Sequence, residues 1–504
     1  MIPVIAPNDG VQDQPLHEQV YRAIRDQIVR RDLRGGVRLA STRALAEQLS
    51  ISRFTIVAAI DRLVAEGYLV TRQGAGTFVV DALPEEFIRP TPAAHLVAPA
   101  DSPHRAPAIS RRGAALSRVV ITGPRQEDGP RAFHPRRPAL DRFPVAEWAR
   151  LVGRRWRAAR VTDLDYGDPA GYRPLRQAIA EHISVTRGLD CDAAQVIVTS
   201  GAQQAFDTVF RVLLDPGDRV WMEEPGYLDV RAALIAAGAS LVPVRVDAQG
   251  LDVGQGIARA PAARLAVVSP SHQYPSGVTM SASRRAALLQ WARRAGAWIV
   301  EDDYDSYFRY GGRPVPALQR FDAETAAVPR VIYVGTFSKT MFPSLRLGFC
   351  IVPPRLVDAV SNARAIASRN APLVDQAALA AFIRDGLYDR HLRRARLIYR
   401  ERYDALRAAV DRELHGVLSI EPAAAGTHVI ARLHGEKRRG RESEAQRIAR
   451  LAARENLVLF PLSRYCLETP KRDGLVLGYG SLTPRQIAAS TRTLAKVIDR
   501  ARHR

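Results

Sequence analysis

The apolar positions between residues 14 and 34 recur at helical spacing. Leu16, Val20, Ala23, Ile24, Ile28 and Val29 share one face. The pattern predicts a helix over that stretch, stopped by Gly35-Gly36, which tolerate positive φ. Val37 to Ser41 reads as a short extended link ending in cap-type residues. A second helix is predicted from Thr42 to about Leu49, with Leu45, Ala46 and Leu49 inward. Ser50-Ile51-Ser52 forms a turn with a new cap. A third helix follows from Arg53 to about Glu66, burying Ile56, Ala59, Ile60 and Leu63, and Gly67 ends it. Tyr68–Arg72 and Gly76–Val80 then read as two strands around Gln73-Gly74-Ala75, a hairpin. Three helices with a tight turn before the third, then a hairpin, predict a winged helix-turn-helix over residues 12–81.

Residues 82–115 lose this periodicity. Six prolines, at 84, 90, 92, 99, 103 and 107, predict a semi-extended linker. Residues 116–504 form a second region, which becomes α/β in character from about Ala132. Apolar runs at Val196–Thr199, Val220–Glu223, Leu265–Ser269 and Ala297–Val300 predict buried strands alternating with helices, as in a large, mostly parallel sheet. Residues 355–415 predict long amphipathic helices. The remainder alternates short strands and helices, as a small C-terminal subdomain would.

The length of 504 residues allows two to four domains, and 47% hydrophobic with 25% charged residues is ordinary for a globular chain. No apolar run approaches the ~20 residues of a membrane-spanning helix. The first residues, MIPVIAPNDGVQDQ, lack the basic and apolar regions of a signal peptide. Cys191, Cys350 and Cys466 are scattered and odd in number. They predict reduced thiols in a cytoplasm rather than a disulfide framework or metal site.

The net charge of +21 favours a polyanionic partner. Its distribution changes that picture. Residues 12–81 carry 10 arginines against 8 acids, whereas residues 131–160 carry 9 against 2. Charge alone therefore does not mark the N-terminal segment as a reader of nucleic acid; its helix pattern must do so.

Lysine and arginine together number 73, and only four of these are lysine, at 339, 437, 471 and 496. Lys339 stands in Val-Gly-Thr-Phe-Ser-Lys-Thr-Met-Phe-Pro-Ser-Leu-Arg-Leu-Gly, residues 334–348. A lysine in an apolar pocket can lose its proton and form a Schiff base with an aldehyde; an arginine cannot. Arg346, seven residues on, is a fork suited to phosphate. Together they predict pyridoxal 5′-phosphate (PLP); a plain surface lysine is the alternative. Ser200-Gly201-Ala202-Gln203 follows a strand and opens a helix whose amides can meet an anion. Glu301, Asp302, Asp303 and Asp305 end another strand. One of these carboxylates can hold a pyridine nitrogen protonated; a divalent cation is the competing reading.

The N-terminal segment resembles the DNA-binding domain of GntR-type bacterial regulators through PLHEQV, LASTRALAEQLSISRFT and EGYLVTRQGAGTFV. The resemblance implies double-stranded DNA as partner. Ser41, Thr42 and Arg43, with Ser52, Arg53 and Thr55, sit at the starts of the second and third helices, and Gln73 and Gly74 at the wing tip. Ala40 and Phe54 replace the family's usual Pro and Asn, which puts base preference in question.

The second region resembles fold-type I aminotransferases. TSGAQQA is similar to their phosphate loop, EEPGY to the element with a stacking aromatic, and EDDYDS and GTFSKTMFPSLRLGF to the ring-nitrogen and lysine elements. The resemblance implies PLP held by Lys339, Asp302, Tyr304, Tyr227, Ala202, Gln203, Thr336, Ser338 and Arg346. Tyr274, in HQYPSG, stands where those enzymes place an asparagine beside the cofactor. Val476 stands where they often place a carboxylate-binding arginine, with Arg464 as a possible substitute for holding an effector. His272 reads as a structural histidine, with a base as the alternative.

Together the two halves resemble the MocR-type branch of GntR regulators. That implies a homodimer in which an amine, an amino acid or PLP itself modulates DNA binding. The competing expectation is a working aminotransferase that carries a DNA-binding head.

Overall fold

The computed structural model describes residues 14–81, 108–119, 132–311, 315–435, 442–468 and 473–503. The chain divides into two compact units, residues 1–107 and 108–504.

In the first unit, α1 (Leu16–Val29), α2 (Thr42–Leu49) and α3 (Arg53–Ala65) precede a hairpin of β1 (Leu69–Arg72) and β2 (Gly76–Val79). Their apolar stripes meet in one core of Ile24, Ile28, Leu45, Ile56, Ile60 and Leu63. Each such side chain contributes about 1.5–3 kcal/mol of transfer free energy. The expected helix over 14–34 is shorter. It stops at Val29, where the regular apolar spacing ends, and Arg31 takes the left-handed turn at φ 64°. The link after Gly36 joins the hairpin. The Leu39 amide bonds the Thr77 carbonyl at 2.8 Å and the Val79 amide bonds the Val37 carbonyl at 2.9 Å. The wing thus gains a short third strand.

Residues 82–107 of the expected linker lie outside the described residues. At its end a short helix forms instead of extended chain: α4 (Arg111–Leu116), capped by Ser110, whose Oγ accepts from the Gly113 amide at 3.0 Å.

The second unit continues with α5 (Val145–Arg157), α6 (Arg173–Arg187), β3 (Val196–Thr199), α7 (Ala202–Leu213), β4 (Arg219–Glu224), α8 (Leu228–Ala237), β5 (Ser240–Asp247), β6 (Gly250–Leu251) and α9 (Val253–Arg259). Then come β7 (Leu265–Val268), α10 (Ala282–Ala295), β8 (Trp298–Asp303), α11 (Leu318–Thr325), β9 (Val331–Thr336) and β10 (Gly348–Ile351). The sheet order is β3-β10-β9-β8-β7-β4-β5-β6. Strands β5, β4, β7, β8 and β9 run parallel, and β10 runs antiparallel to both β9 and β3. Alternate residues of each strand face opposite layers. Ile197, Val220, Met222, Ile332 and Val334 pack with α7 and α8 on one side. Trp221, Ala266, Val268 and Ile299 pack with α9 and α10 on the other. There Trp221 and Trp291 stack with ring centroids 3.7 Å apart. A sheet buried on both faces explains the nearly continuous apolar runs.

The run predicted as long helices divides into α12 (Val357–Ser368), α13 (Leu373–Arg384) and α14 (Leu387–Glu413). Gly386, at φ 70°, breaks the second amphipathic stretch. The subdomain at the end packs α14, α15 (Glu444–Ala453) and α16 (Pro484–His503) on a small antiparallel sheet. Its strands are β11 (Leu418–Ile420), β12 (His428–Leu433), β13 (Phe460–Pro461) and β14 (Leu475–Gly478), in the order β11-β12-β14-β13. Among the described residues, no helix is long and apolar enough to cross a membrane.

Candidate cofactor site and DNA-reading surface

Strands β3, β4, β7, β8 and β9 all point the same way, so their C-terminal ends converge on one edge of the sheet. In open α/β sheets that edge is where ligands bind. A cavity of about 610 Å³ opens there. Ala202, Gln203, Tyr227, Tyr274, Asp302 and Tyr304 line it, together with Thr336, Ser338, Lys339 and Arg346. Ten sequence-predicted residues from five separate stretches therefore meet in one place.

The β3–α7 turn makes an anion cradle. Gly201 adopts φ 97°, and no side chain caps the amides of α7. Gly348 of β10 presses against the turn: a Cβ there would lie 2.9 Å from the Gly201 Cα. A Cβ on Gly201 would lie 3.5 Å from the Arg346 guanidinium. Among the described residues that guanidinium has no hydrogen-bonding partner. Uncapped amides facing a guanidinium are suited to a phosphate. The Gln203 side chain is turned toward α8, donating to the Asp229 carbonyl at 3.0 Å. Thr336 Oγ1 accepts from the Ser338 amide at 3.2 Å, which shapes the approach to Lys339.

Lys339 is held by its neighbours. Phe337 and Met341 are buried in the core on either side of it. The Thr340 carbonyl accepts from His391 Nε2 at 2.7 Å, and Thr340 Oγ1 accepts from the Tyr388 hydroxyl at 2.9 Å. Lys339 Nζ donates to the Arg136 carbonyl at 2.6 Å. Burial, and then the positive charge of Arg136, lowers the Lys339 pKa to about 7. A substantial fraction of this amine is therefore neutral near physiological pH.

The four carboxylates at the end of β8 go four ways. Glu301 accepts from the Leu318 and Gln319 amides at 2.8 and 3.0 Å. Asp303 pairs with Arg187 at 2.7 Å and accepts from the Tyr333 hydroxyl at 2.6 Å. Asp305 meets His272 Nδ1 at 2.9 Å. Asp302 alone of the four faces the cavity, and no hydrogen bond satisfies its carboxylate among the described residues. Burial, then the charges of Asp303 and Glu223, pushes its pKa well up. A cationic ring nitrogen would relieve that cost. The Tyr304 hydroxyl lies 2.9 Å from His272 Nδ1, which links it to Asp305.

The opposite wall joins Tyr227 to two residues that sequence reasoning missed. Arg136 donates to the Tyr227 hydroxyl at 2.7 Å and to Asp229 Oδ2 at 3.0 Å, and Tyr227 itself donates to Asp229 at 2.7 Å. The guanidinium carbon lies 5.4 Å from the Tyr227 ring centroid. Arg136 holds φ 75°, an uncommon conformation for a residue with a Cβ. It belongs to a non-periodic, proline-rich lead among many arginines, so no pattern singled it out. The Tyr274 hydroxyl bonds that of Tyr465 at 2.9 Å, closing the wall toward the small subdomain.

Arg464 lies apart from these ten residues. It is exposed, stacks 4.7 Å from the Phe460 ring centroid, and does not line the cavity. Val476 is fully buried with Tyr274, Ile430, Leu462 and Tyr465.

The unpartnered Arg346 guanidinium, the uncapped start of α7, the unsatisfied Asp302 carboxylate and the neutral-prone Lys339 match phosphate, ring nitrogen and aldehyde respectively. The residues present fit PLP.

In the first unit the predicted DNA contacts cluster at the starts of α2 and α3. Ser41 caps α2, accepting from the Ala44 amide at 3.2 Å, and Ser52 caps α3, accepting from the Thr55 amide at 3.1 Å. Arg53 Nε donates to Thr42 Oγ1 at 3.4 Å, tying the two helix starts together. Arg43 is exposed and lies 3.5 Å from Glu47. Gln73 and Gly74 occupy the β1–β2 turn, with Gly74 at φ 76°.

Residues 16–79 match the family described as bacterial regulatory proteins, gntR family, and residues 139–472 match aminotransferase class I and II. The chain is 39% identical to the probable rhizopine catabolism regulatory protein MocR of Rhizobium meliloti, over 96% of this chain and 94% of that protein. It is 30% identical to the pyridoxine biosynthesis transcriptional regulator PdxR of Corynebacterium glutamicum, over 92% and 91%. Among solved structures it resembles LysN, the α-aminoadipate aminotransferase of Thermus thermophilus complexed with N-(5′-phosphopyridoxyl)-L-leucine. The TM-score is 0.67, with 28% identity over 74% of this chain and 92% of that one. With a GntR helix-turn-helix ahead of an aminotransferase domain of the PLP-dependent fold, the chain belongs to the MocR-type branch of the GntR transcriptional regulators.

Proposed function

We propose that this regulator holds PLP on Lys339 and senses an amine or amino acid, or PLP itself, so that occupancy of the site changes its affinity for operator DNA. The observation that carries this reading is the surroundings of Lys339: a half-buried amine, lowered to about pKa 7, that shares one cavity with Asp302 and Arg346. When bound, PLP supplies an aldehyde that joins reversibly to primary amines. Arg346, Ser338, Thr336, Gln203 and the Ala202 amide would hold its phosphate. Asp302 would keep its ring nitrogen protonated, Tyr304 would donate to its phenolic oxygen, and Tyr227 would pack against the ring. Tyr274 closes the far wall. With Nζ free, Lys339 donates to the Arg136 carbonyl at 2.6 Å, and this residue would hold the cofactor where an effector amine could replace it.

In the first unit, Arg53 meets a base edge, and Ser41, Thr42, Arg43, Ser52, Thr55, Gln73 and Gly74 meet phosphates or the flanking groove. The protein acts in the cytoplasm as a homodimer, its paired heads addressing repeated half-sites. The test is a visible-absorbance titration of the purified chain with PLP. A band that forms with wild type and is absent in Lys339→Ala supports the reading; equal spectra contradict it.

A working aminotransferase is the second reading, because Lys339, Asp302 and Arg346 would serve turnover equally well. Val476 and Tyr274, at positions where aminotransferases use arginine and asparagine, weigh against it. Sustained keto-acid-dependent turnover across a panel of amino donors would favour the enzyme.

A further inference from the structure

Phe54 is the second residue of α3, and its side chain is 83% exposed, the highest exposure of any large apolar residue in the described part of the first unit. The buried stripe of this helix is Ile56, Ala59, Ile60 and Leu63. At about 100° per residue, Phe54 lies roughly 200° from Ile56, on the outward face. The core therefore does not use the ring.

Its surroundings suit a nucleic acid. The helix follows α2 across the Ser50–Ser52 turn, so it is the recognition helix, whose N-terminal residues reach base edges in the major groove. No acidic residue stands in the first turn of α3 or of α2. The hydroxyls beside Phe54 are already engaged: Ser52 Oγ bonds the Thr55 amide at 3.1 Å and the Thr55 hydroxyl at 2.8 Å, while Arg53 touches Thr42 through Nε alone. The phenyl ring is the free apolar group on that turn. In the major groove the apolar group on a base edge is the 5-methyl of thymine.

We propose that Phe54 reads the 5-methyl group of a thymine in the operator, beside the base met by Arg53. This rests on the GntR domain binding DNA, and the experiment separates the two. Full-length protein recovers duplexes from a randomised library. The recovered site is then remade with deoxyuridine at one thymine position at a time, which removes a single methyl and nothing else. Wild type should bind one such duplex about three- to tenfold more weakly. Phe54→Ala should bind thymine and uracil duplexes equally, with wild-type affinity for mixed non-specific DNA, which shows that the domain has folded. Three results overturn the assignment: a recovered site without a fixed thymine, no uracil effect in wild type, or the same thymine preference in Phe54→Ala. Each would point instead to Phe54 docking on protein. Recovery of no site at all would overturn DNA reading itself.

Discussion

Lys339 Nζ and the Arg136 carbonyl oxygen lie 2.6 Å apart, and the side chain of the same Arg136 holds Tyr227 and Asp229. One residue thus meets the reactive amine through its backbone and the opposite wall through its guanidinium. Arg136 also helps lower the Lys339 pKa. Replacing it with glycine keeps the left-handed backbone comfortable while removing the charge. Arg136→Gly should therefore move the titration of Lys339 to higher pH. The pH dependence of PLP loading, followed by absorbance in both proteins, checks this.

Loading itself should follow that titration in wild type. Only the neutral amine attacks an aldehyde, and Lys339 changes from protonated to neutral through about pH 7. The loading rate should rise between pH 6 and 8 and then level off, whereas an ordinary lysine would keep gaining to ~10.4. Stopped-flow absorbance from pH 6 to 10 distinguishes the two curves.

Arg346→Ala should weaken PLP binding by about 10- to 150-fold, as expected for loss of a charged hydrogen bond. Gly348→Ala should weaken it too, although that residue lines no part of the cavity. Its new Cβ would strike the Gly201 backbone at 2.9 Å and displace the cradle. Equilibrium titration with PLP measures both, and thermal unfolding of the unliganded proteins separates lost binding from lost fold.

Asp303→Ala should destabilise the second unit by about 3–5 kcal/mol, because it leaves Arg187 buried without its partner. Denaturant titration followed by tryptophan fluorescence reads that loss. Asp302→Ala should cost far less stability, because its carboxylate is already unsatisfied, and should lower PLP affinity instead.

For the DNA-reading unit, Arg53→Ala should lower affinity for the recovered operator by about 1–3 kcal/mol while changing binding to scrambled DNA much less. Anisotropy titrations on both duplexes compare the two losses. Equal losses would make Arg53 a phosphate contact.

What the chain made legible followed from how locally each feature is encoded. The winged helix could be read element by element, because its helices carry regular apolar stripes and serine caps at Ser41 and Ser52. The sheet strands could be read as apolar runs, because both faces are buried. Lys339 and Arg346 stood out because their chemistry is rare or spaced within one stretch. Helix ends were less legible: α1 ends at Val29 rather than near Gly35, and Gly386 splits a continuous amphipathic run. Arg136 and Asp229 were invisible, because they meet only through folding, 93 residues apart. Arg464, offered as a substitute for the arginine missing at Val476, depends on folding in the same way: its side chain stacks on Phe460 and does not line the cavity.

The central claim joins the two units: the state of Lys339 governs DNA affinity. The direct measurement is the dissociation constant of full-length protein for its recovered operator, without PLP, with PLP, and with PLP plus a panel of primary amines, in wild type and Lys339→Ala. PLP should shift wild-type affinity, at least one amine should shift it again, and Lys339→Ala should respond to neither. Wild-type affinity indifferent to PLP and to every amine, or an identical response in Lys339→Ala, would contradict it.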